Sequence, residues 1–516
     1  MGKDCRRLAA ALCLGLLLSA AVPFAHAEAV SAQAPQPLAE VAEAYRYLLE
    51  NHIDRPAPAQ LVRGALAHVA KQANEAGGIN LKLDPQDDTL AELTARLQEW
   101  QQAHGLDWGR LHRWAIAGMV ESLGDPHTVF FTAEELHQFH DELENETVGF
   151  GIRFVVRDEY LLITDVLPAS PAEAAGINAG DYVFAVDGIP LAGSDLQATL
   201  DLLSGEVGSF AVLTVYKPEE KQMRELTLAR AVLTVPEVRG ARFSGDVGYI
   251  HIATFGSDAA YQFRDELARI SAPAPLKGLI VDLRNNGGGY LISARDVASL
   301  LMEEGLLMRS VNRNGVEMEL WVRNGRPVSY PVRILVNQDT ASASELLAAA
   351  LRDHQIAQLV GTTTFGKGSA QQIVSLGDGD ALKITLEEYF TPNRAVVNQV
   401  GLAPDIAVED EVAQVLAGLL SLGVREVELT ETADGRFTVN DVPFPLVRPV
   451  FIRGGGTGAE QISVRGAVLA YLTGDRSLAA VDYVPVQSKA YPGGSLQLTS
   501  SDRQIVLRFV AKDKKR

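Results

Sequence analysis

Apolar residues follow two different spacings along this chain, and the change between them marks out its parts. In the first part they recur every three to four positions, in the segments 38–52, 61–73, 89–105 and 111–124. That spacing places apolar side chains on one face of an α-helix. It therefore predicts a helical N-terminal region, residues 28–147.

From about Val148 the apolar residues instead form short β-type runs. These runs occupy residues 149–156, 160–167, 181–188 and 210–217, with one helical pattern at residues 196–205. Short runs of this kind, separated by turn residues, are typical of β-strands. They predict a compact β-rich module over residues 148–236.

Strand and helix patterns then alternate. Strand patterns occur at residues 247–255, 276–284, 332–337 and 357–362, with helical patterns at residues 259–271, 292–305 and 344–354 between them. This alternation predicts βαβ crossovers and a largely parallel sheet. We assign residues 237–410 to this α/β core.

The last part, residues 411–516, begins with a helical pattern and then becomes β-rich. The predicted fold class is therefore a multidomain α+β protein. It has a helical N-terminal region, a β-rich module, an α/β core with a largely parallel sheet, and a β-rich C-terminal domain.

Composition and charge exclude some classes of binding partner. Of the 516 residues, 47% are hydrophobic and 22% are charged, as in globular proteins. The formal net charge is −19. Nucleic acids and anionic lipid surfaces attract basic proteins, so the charge argues against both as partners.

The first 27 residues have the order of a secretory signal peptide. Lys3, Arg6 and Arg7 precede an apolar run, and the sequence Ala-His-Ala ends at Ala27. We expect cleavage after Ala27 and export to the periplasm or the extracellular cell envelope, with no membrane span afterwards. An uncleaved anchor is the alternative, because the run is just long enough to span a bilayer.

Both cysteines, Cys5 and Cys13, lie within this segment. The mature chain would then contain none, which excludes disulfides, a thiol nucleophile and a zinc–thiolate site.

Lys367 lies between two glycines in the sequence GTTTFGKG, residues 361–368. The spacing of Gly361, Gly366 and Lys367 resembles a phosphate-binding P-loop. A P-loop requires Ser or Thr after the lysine and a helix that begins there. Here Gly368 follows, and the residues after it have a strand pattern, so a second interpretation is needed.

The second interpretation pairs Lys367 with a hydroxyl at the strand-to-helix junction near residue 342. A hydroxyl there is exposed, and helix N-terminal amides can stabilise an oxyanion. A neutral lysine can serve as the base when burial lowers its pKa. Chemistry alone does not choose among Thr340, Ser342 and Ser344.

Two further features of these residues bear on that pairing. Gln371, four residues after Lys367, would share its face on an extended strand and could orient the lysine amine. The alternative for Ser342 is a capping box with Glu345.

The motifs around these residues resemble those of the C-terminal processing peptidases, also called tail-specific proteases. The motifs are TASASELLAAALRD (340–353), VGTTTFGKGSAQQ (360–372), GYIHIATF (248–255), GLIVDLRNNGGG (278–289) and EEYFTPNRAVVNQVGLAPDIAV (387–408). The resemblance, over about residues 110 to 410, implies Ser342 as nucleophile, Lys367 as base and Gln371 as support for the lysine.

The same resemblance implies oxyanion donors at the backbone amides of Gly288 and Ala343. Two positions depart from the family pattern. Thr128 replaces the usual Ser in an Asp-Pro-His-Ser element, and Gly287 stands where relatives often carry Pro. Neither departure falls on a reacting group.

The β-rich module resembles a PDZ domain, with the segment VLPASPAEAAGINAGDYVFAVDG at residues 166–188. The resemblance implies that Gly149, Phe150, Gly151 and Ile152 receive the C-terminal carboxylate of a substrate protein, whose tail adds to the next strand. Arg153, beside this loop, is either a sensor of the tail or a surface charge.

Other candidates are weaker. His137 and His140 lie near Glu134 and Glu135 and suggest either a metal face or a solvated helix surface, of which we favour the surface. Other histidines, at positions 127, 251 and 354, fit structural roles. Asp282 and Arg284 flank the oxyanion loop and are expected to hold its shape. The C-terminal domain weakly resembles the N-terminal β domain of copper amine oxidases, without a copper-ligand pattern.

The sequence thus predicts an exported serine endopeptidase that recognises C-terminal tails and needs no cofactor or metal. The alternative is a catalytically silent PDZ adaptor. A Ser-x-x-Lys amidase is rejected because Ser342 and Lys367 are far apart in sequence. An activating partner protein and self-association into a homo-oligomer both stay open.

Overall fold

The computed structural model describes residues 36–512 with short gaps. The gaps are residues 158, 194–195, 244, 433–436, 441, 444–450, 455–460, 465, 479, 481–483, 486–488, 492 and 501–503. The chain divides into two compact units. The described part of the first comprises residues 36–50 and 56–125, and that of the second comprises residues 51–55 and 126–512.

The first unit consists of helices where the sequence predicts them. They are α1 (Gln36–Asn51), α2 (Pro58–Gly77), α3 (Leu90–His104) and α4 (Trp108–Leu123). A Thr89–Glu92 capping box begins α3. A Cβ atom on Gly64 would lie 2.6 Å from the carbonyl oxygen of Gly118, so glycines let α2 and α4 pack backbone against backbone.

The second unit opens with β1 (Val129–Phe131) and α5 (Ala133–Leu143) and continues into the β-rich module. The module comprises β2 (Glu146–Gly149), β3 (Ile152–Arg157), β4 (Tyr160–Val166), α6 (Pro171–Ala174), β5 (Tyr182–Val186), β6 (Ile189–Pro190), α7 (Leu196–Leu203), β7 (Phe210–Lys217), β8 (Gln222–Ala229) and β9 (Ala231–Thr234).

Its sheet has the order β3-β4-β5-β7-β8, with β6 paired to β5. Strands β2 and β9 form a separate antiparallel ribbon where the chain enters and leaves the module.

The α/β core contains a largely parallel sheet, as predicted. Its elements are β10 (Val238–Phe243), β11 (Val247–Ile252), α8 (Ala259–Ser271), β12 (Gly278–Asp282), α9 (Leu291–Ala298), β13 (Gly305–Asn312), β14 (Glu317–Val322), β15 (Val332–Val336), α10 (Ala343–Asp353), β16 (Ala357–Gly361), β17 (Ser369–Ser375), β18 (Ala381–Phe390) and β19 (Ile406–Ala407).

The order of the main sheet is β10-β11-β12-β15-β16-β19, in which only the β10–β11 pair is antiparallel. Leu279 and Val281 of β12 belong to the apolar cluster that contains α8, α9 and α10. Ile280, between them, belongs to a second cluster with the helix that follows the core. This alternation means that both faces of the sheet are covered.

A second sheet joins β1, β18, β13 and β14 in that order, with β17 also paired to β18. The sequence pattern did not predict β13 and β14. Through β1 and β17, this sheet brings the Thr128 segment close to the strand that follows Lys367.

The C-terminal part begins with α11 (Glu411–Ser421) and is otherwise mainly β, as predicted. Its further elements are β20 (Glu426–Thr432), β21 (Phe437–Val439), β22 (Val442–Pro443), β23 (Phe451–Gly454), β24 (Gln461–Val464), α12 (Gly466–Thr473), β25 (Val484–Pro485), β26 (Lys489–Tyr491), β27 (Gly494–Ser500) and β28 (Gln504–Ala511). The multidomain α+β class is therefore confirmed.

The signal-peptide prediction falls on residues outside the described part of the chain. Among the residues that are described, no helix combines the length and the apolar character needed to cross a membrane.

Candidate active site

Ser342 occupies the turn between β15 and α10, at the N-cap of the helix. Its backbone has φ 57° and ψ −119°. A non-glycine residue rarely adopts positive φ, and such strain persists only where the surrounding structure enforces it. The strained turn places Ser342 at the C-terminal edge of the parallel sheet, where the functional sites of α/β folds lie.

The structure distinguishes the three hydroxyl groups that chemistry alone leaves open. The hydroxyl of Thr340 donates to the carbonyl oxygen of Leu283 at 2.9 Å, and that of Ser344 donates to the carbonyl oxygen of Asn286 at 3.0 Å. Both residues have an exposed fraction of 0%, against 8% for Ser342. Thr340 and Ser344 therefore hold the loops together, and Ser342 is the accessible hydroxyl of the three.

Glu345 connects the serine turn to the lysine loop. One carboxylate oxygen, Oε2, accepts from the backbone N–H of Ser342 at 3.0 Å and from that of Lys367 at 2.9 Å. The other, Oε1, accepts from the N–H of Gly366 at 2.9 Å and from the hydroxyl of Thr364. The bond to Ser342 is half of the predicted capping box, and the other three bonds tie the lysine loop to the same carboxylate.

Burial raises the pKa of the Glu345 carboxyl, and the hydrogen bonds that it accepts oppose this effect. The side chain is completely buried. A buried carboxylate is stable only when such donors surround it. The four donors thus explain why an acidic residue can occupy this position.

Tyr389 of β18 supplies a second connection between the two loops. Its hydroxyl donates to the carbonyl oxygen of Lys367 and is hydrogen-bonded to the side chain of Ser342. Burial raises the pKa of Tyr389 well above its ordinary value, so the hydroxyl keeps its proton. Ser342 and Lys367 are therefore neighbours, although 24 residues lie between them in sequence.

Lys367 is half-buried in the loop before β17, and Gln371 lies within that strand. The residues after the lysine form a strand, whereas a P-loop requires a helix there, so the structure contradicts the P-loop interpretation. Lys367 itself lies before this strand, however. Strand β17 begins only at Ser369, and its register with β18 shifts between Ala370 and Gln371. No uninterrupted strand therefore joins Lys367 to Gln371, and strand geometry does not place them on one face. Their pairing stays a prediction.

The oxyanion loop lies directly against Ser342. A Cβ atom on Gly288, which has φ 107°, would approach Cβ of Ser342 to 2.8 Å and the backbone nitrogen of Ala343 to 3.0 Å. Ala343 is the first residue of α10, so its N–H belongs to those without an acceptor inside the helix. In this structure the N–H of Gly288 donates to Oδ1 of Asn286 at 2.8 Å.

Asp282 and Arg284 form a buried ion pair at the base of this loop. The guanidinium donates from Nε and Nη2 to the two carboxylate oxygens, at 2.9 and 2.6 Å. Burial alone would raise the pKa of Asp282, but the charge of Arg284 holds it below its usual value. Arg284 also donates to the carbonyl oxygen of Glu411, which attaches the loop to α11.

In the β-rich module, residues 149–152 run from the β2–β9 ribbon to the edge strand β3. A Cβ atom on Gly151, with φ 84°, would lie 2.2 Å from Cβ of Ser170, so only glycine fits there. The ring of Phe150 is buried, and the guanidinium of Arg230 lies 5.0 Å from its centroid. Arg230 also donates to the carbonyl oxygens of Leu202 and Leu203 at the end of α7.

The remaining candidates do not form a further site. His137 is exposed and pairs with Asp141 at 3.2 Å. His354 contacts the carbonyl oxygen of Leu306 at 2.8 Å. Within the described residues, no group of three or more His, Cys, Asp and Glu side chains is placed to hold a metal ion.

Sequence reasoning missed several residues of the site. The sequence indicates Glu345 only as a capping residue, and it indicates Tyr389 and Asn286 only as members of the recognised motifs. Their roles depend on contacts between loops that are distant in sequence, which periodicity does not reveal. The one available signal was their position inside the motifs that carry Ser342, Lys367 and Gly288.

Comparison with known proteins identifies the families that parts of this chain match. The model of Peptidase family S41 matches residues 246–408, and the model of a PDZ domain matches residues 162–217. The carboxy-terminal processing protease CtpB of Bacillus subtilis is 32% identical over 308 residues, which cover 59% of this chain and 64% of that protein.

Two further relatives are similar over a larger share of their own length. A carboxy-terminal-processing protease of Bartonella bacilliformis is 32% identical over 61% of this chain and 73% of its own. A carboxyl-terminal-processing protease of Picosynechococcus is 34% identical over 58% of this chain and 73% of its own. Among solved structures, the photosystem II D1 C-terminal processing protease aligns with 26% identity and a TM-score of 0.45, over 75% of this chain and 97% of its own.

Proposed function

This chain belongs to the carboxy-terminal processing serine proteases of peptidase family S41, as its motifs predict, and we propose that it is an exported endopeptidase with a Ser342–Lys367 catalytic dyad. The observation that carries the proposal is the Glu345 carboxylate. Its Oε2 atom accepts from the backbone N–H groups of both residues, at 3.0 and 2.9 Å. A fixed nucleophile beside a fixed base is the requirement of nucleophilic catalysis.

In the proposed reaction, neutral Lys367 takes the proton of the Ser342 hydroxyl, whose oxygen attacks the peptide carbonyl. The N–H groups of Gly288 and Ala343 stabilise the oxyanion, which requires the Gly288 N–H to turn from Asn286 or to be shared with it. Lys367 then gives its proton to the leaving amine. The neutral lysine then takes a proton from water, whose oxygen attacks the acyl carbon. As the ester bond to Ser342 breaks, the lysine returns the proton to the serine oxygen, which releases the acid product and restores both residues.

Gln371 supports the lysine in this scheme. Its carbonyl oxygen accepts one N–H of the neutral amine, which directs the nitrogen lone pair towards Ser342. The amide nitrogen of Gln371 is already used, because it donates to the hydroxyls of Ser369 and Thr385 at 2.8 and 3.3 Å.

The PDZ module selects the substrate. Residues Gly149 to Ile152 bind the terminal carboxylate of a protein, and the tail adds to the edge strand β3. The exposed apolar side chains of Val156, Leu196 and Leu200 suit an apolar tail. The signal peptide directs the chain to the cell envelope, where the substrates are exported proteins.

Cleavage of an unfolded model protein with an apolar C-terminal tail tests this function. We expect the wild type to cleave it, and Ser342→Ala to bind the tail equally well but to lose cleavage by at least about 1,000-fold. The same substrate with a charged tail, or with none, serves as the control and should be cleaved slowly by the wild type.

Two results would overturn the proposal. Undiminished cleavage by Ser342→Ala would show that another group is the nucleophile. Tail binding without cleavage by the wild type would instead favour the adaptor function.

A further inference from the structure

A chain of buried polar side chains leads from residues 51–55 towards Gln371. Nε2 of His52 lies 3.1 Å from Oγ1 of Thr128, which in turn lies 3.4 Å from Oγ1 of Thr385. The backbone N–H of Thr385 also donates to Oγ1 of Thr128, at 3.1 Å. The exposed fractions of His52, Thr128 and Thr385 are 0%, 3% and 3%, so these contacts are shielded from solvent.

The chain of contacts ends on the amide of Gln371. Its nitrogen donates to Oγ1 of Thr385 at 3.3 Å and to Oγ of Ser369 at 2.8 Å. Thr385 is also held by its backbone, because its carbonyl oxygen accepts from the N–H of Ile53 at 3.0 Å. The segment that carries His52 is thus joined to β18 at the residue that contacts Gln371.

The contacts of the two ring nitrogens of His52 indicate the direction of the hydrogen bonds from His52 to Thr385. Nδ1 of His52 accepts from the backbone N–H of Asp54 at 3.2 Å, so Nε2 carries the ring proton that is donated to Thr128. Oγ1 of Thr128 then accepts two hydrogen bonds, from His52 and from the N–H of Thr385. Thr128 in turn donates its own proton to Oγ1 of Thr385.

The two hydrogen bonds of the amide nitrogen decide which end of the Gln371 amide is left to face Lys367. Both N–H groups of the amide nitrogen donate to hydroxyls, to Thr385 and Ser369. An amide held in this way offers a neighbour its carbonyl oxygen, which is the end that can accept from an amine. Rotation of the amide by half a turn would replace these two N–H donors by one carbonyl oxygen and turn the NH₂ group, instead of the oxygen, towards the lysine.

We propose that His52 and Thr128 are positioning residues for the catalytic lysine, which act through Thr385 by fixing the orientation of the Gln371 amide. The inference rests on the proposed function, since it concerns the same dyad. It assigns a role to the threonine that departs from the family pattern, and to a histidine in the segment between α1 and α2. Residues 51–55, which belong to the second unit, thus help to hold the site in place.

Steady-state kinetics of Thr128 variants on the tailed substrate test the proposal. Thr128→Val keeps the shape but removes the hydroxyl, and we expect kcat to fall about 10- to 100-fold with KM changed less than about 2-fold. Thr128→Ser restores the hydroxyl and should restore kcat to within about 3-fold of wild type. Thr473→Val is the matched control, because it removes an equally buried hydroxyl from α12 and should leave kcat unchanged.

A double-mutant cycle separates positioning from a general loss of structure. If Thr128 acts through Gln371, the double variant Thr128→Val/Gln371→Ala will be no slower than Gln371→Ala alone. His52→Ala combined with Thr128→Val should likewise be no slower than Thr128→Val. Should Thr128→Val fail to fold, Thr385→Ala breaks the same contacts one step nearer to Gln371 and should give the same loss.

A wild-type kcat in Thr128→Val, or a loss that multiplies with that of Gln371→Ala, would overturn the proposal. These outcomes differ from failure of the proposed function. In that case Ser342→Ala would still cleave, or the wild type would not, whatever residue occupies position 128.

Discussion

At the scale of single residues, the geometry of the site depends on Glu345. Its carboxylate occupies the space between the serine turn and the lysine loop and accepts hydrogen bonds from both. A charged acceptor strengthens such bonds, and a buried one leaves little freedom for its donors to move. The distance between Ser342 and Lys367 is therefore set by a residue that need not touch the substrate.

We predict that Glu345→Gln lowers kcat at least about 10-fold and reduces the free energy of unfolding by about 2–4 kcal/mol. An amide has one oxygen, and its NH₂ group would face backbone N–H donors that need an acceptor. Peptidase assays and urea unfolding measure the two effects. Glu303→Gln, at an exposed position, is the control and should change neither; a wild-type kcat in Glu345→Gln would contradict the prediction.

The second prediction compares alanine substitutions at the adjacent residues Gly287 and Gly288. Gly288→Ala should lower activity at least about 100-fold, because the new Cβ atom would lie 2.8 Å from Cβ of Ser342 and the residue has φ 107°. A Cβ atom on Gly287 would meet no described atom within 4 Å, so Gly287→Ala should retain most of the activity. Equal activity of the two variants would show that the Gly288 loop does not contribute to the reaction.

At the scale of elements, the connection between the PDZ module and the core contains a buried acid. Glu237 follows β9, and one carboxyl oxygen accepts from the N–H of Asp258 at 3.4 Å. Among the described residues, its other oxygen, Oε2, has no hydrogen-bond partner. Burial, with the nearby charges of Glu144 and Asp258, raises the pKa of Glu237 to about 7.

This pKa predicts a dependence of stability on pH. Glu237 is protonated more readily in the folded chain than in the unfolded chain, where its pKa is near 4.5. The free energy of unfolding should therefore fall as the pH rises from about 4.5 through about 7, by up to about 3 kcal/mol.

Glu237→Gln mimics the protonated acid and should remove this contribution. Urea unfolding of wild type and variant at about pH 5 and about pH 8 measures it, since the variant should gain stability over the wild type only at the higher pH. Glu219→Gln, which is exposed, controls for the loss of one surface charge. The same difference between wild type and Glu237→Gln at both pH values would refute the assignment.

The sequence predicts well those elements in which a regular spacing of apolar residues continues along the whole helix or strand. Helices α1 to α4 and the parallel strands β11, β12, β15 and β16 follow the predicted positions, because each buries one face or both. Strands β13 and β14 were not predicted. They form an antiparallel pair with a register shift near Leu306, and their residues alternate weakly between buried and exposed.

The sequence predicts the site only in part, for the same reason. Motifs identified Ser342, Lys367 and Gly288, but the positive φ of Ser342 and the register shift before Gln371 follow no local pattern. Both are imposed by contacts between segments that are distant in sequence. His52 lies far from every recognised motif, and only the pairing of β1 with β18 places Thr128 beside Thr385.

At the scale of the whole molecule, the N-terminal sequence leads to a simple prediction. We predict that cleavage after Ala27 produces a mature chain that begins at Glu28 and contains no cysteine. Intact-mass measurement of the exported protein should give that N-terminus, and iodoacetamide should leave peptidase activity unchanged because no thiol takes part. A chain that retains Met1, or that loses activity on alkylation, would contradict the prediction.

The PDZ module and the core contact each other through an ion pair between Asp165 and Arg239, at 2.9 Å. Both side chains are more than a third exposed, at 42% and 39%, so this contact contributes less than about 1 kcal/mol. This ion pair by itself therefore adds little to the stability of the junction.

Turnover by Lys367→Ala, measured with the tailed substrate beside wild type and Ser342→Ala, tests the central claim most directly. With Lys367 as the base, the variant should fold and bind the tail normally, and kcat should fall at least about 100-fold, towards that of Ser342→Ala. A folded Lys367→Ala protein that retains wild-type turnover would show that this lysine is not the base and would contradict the account.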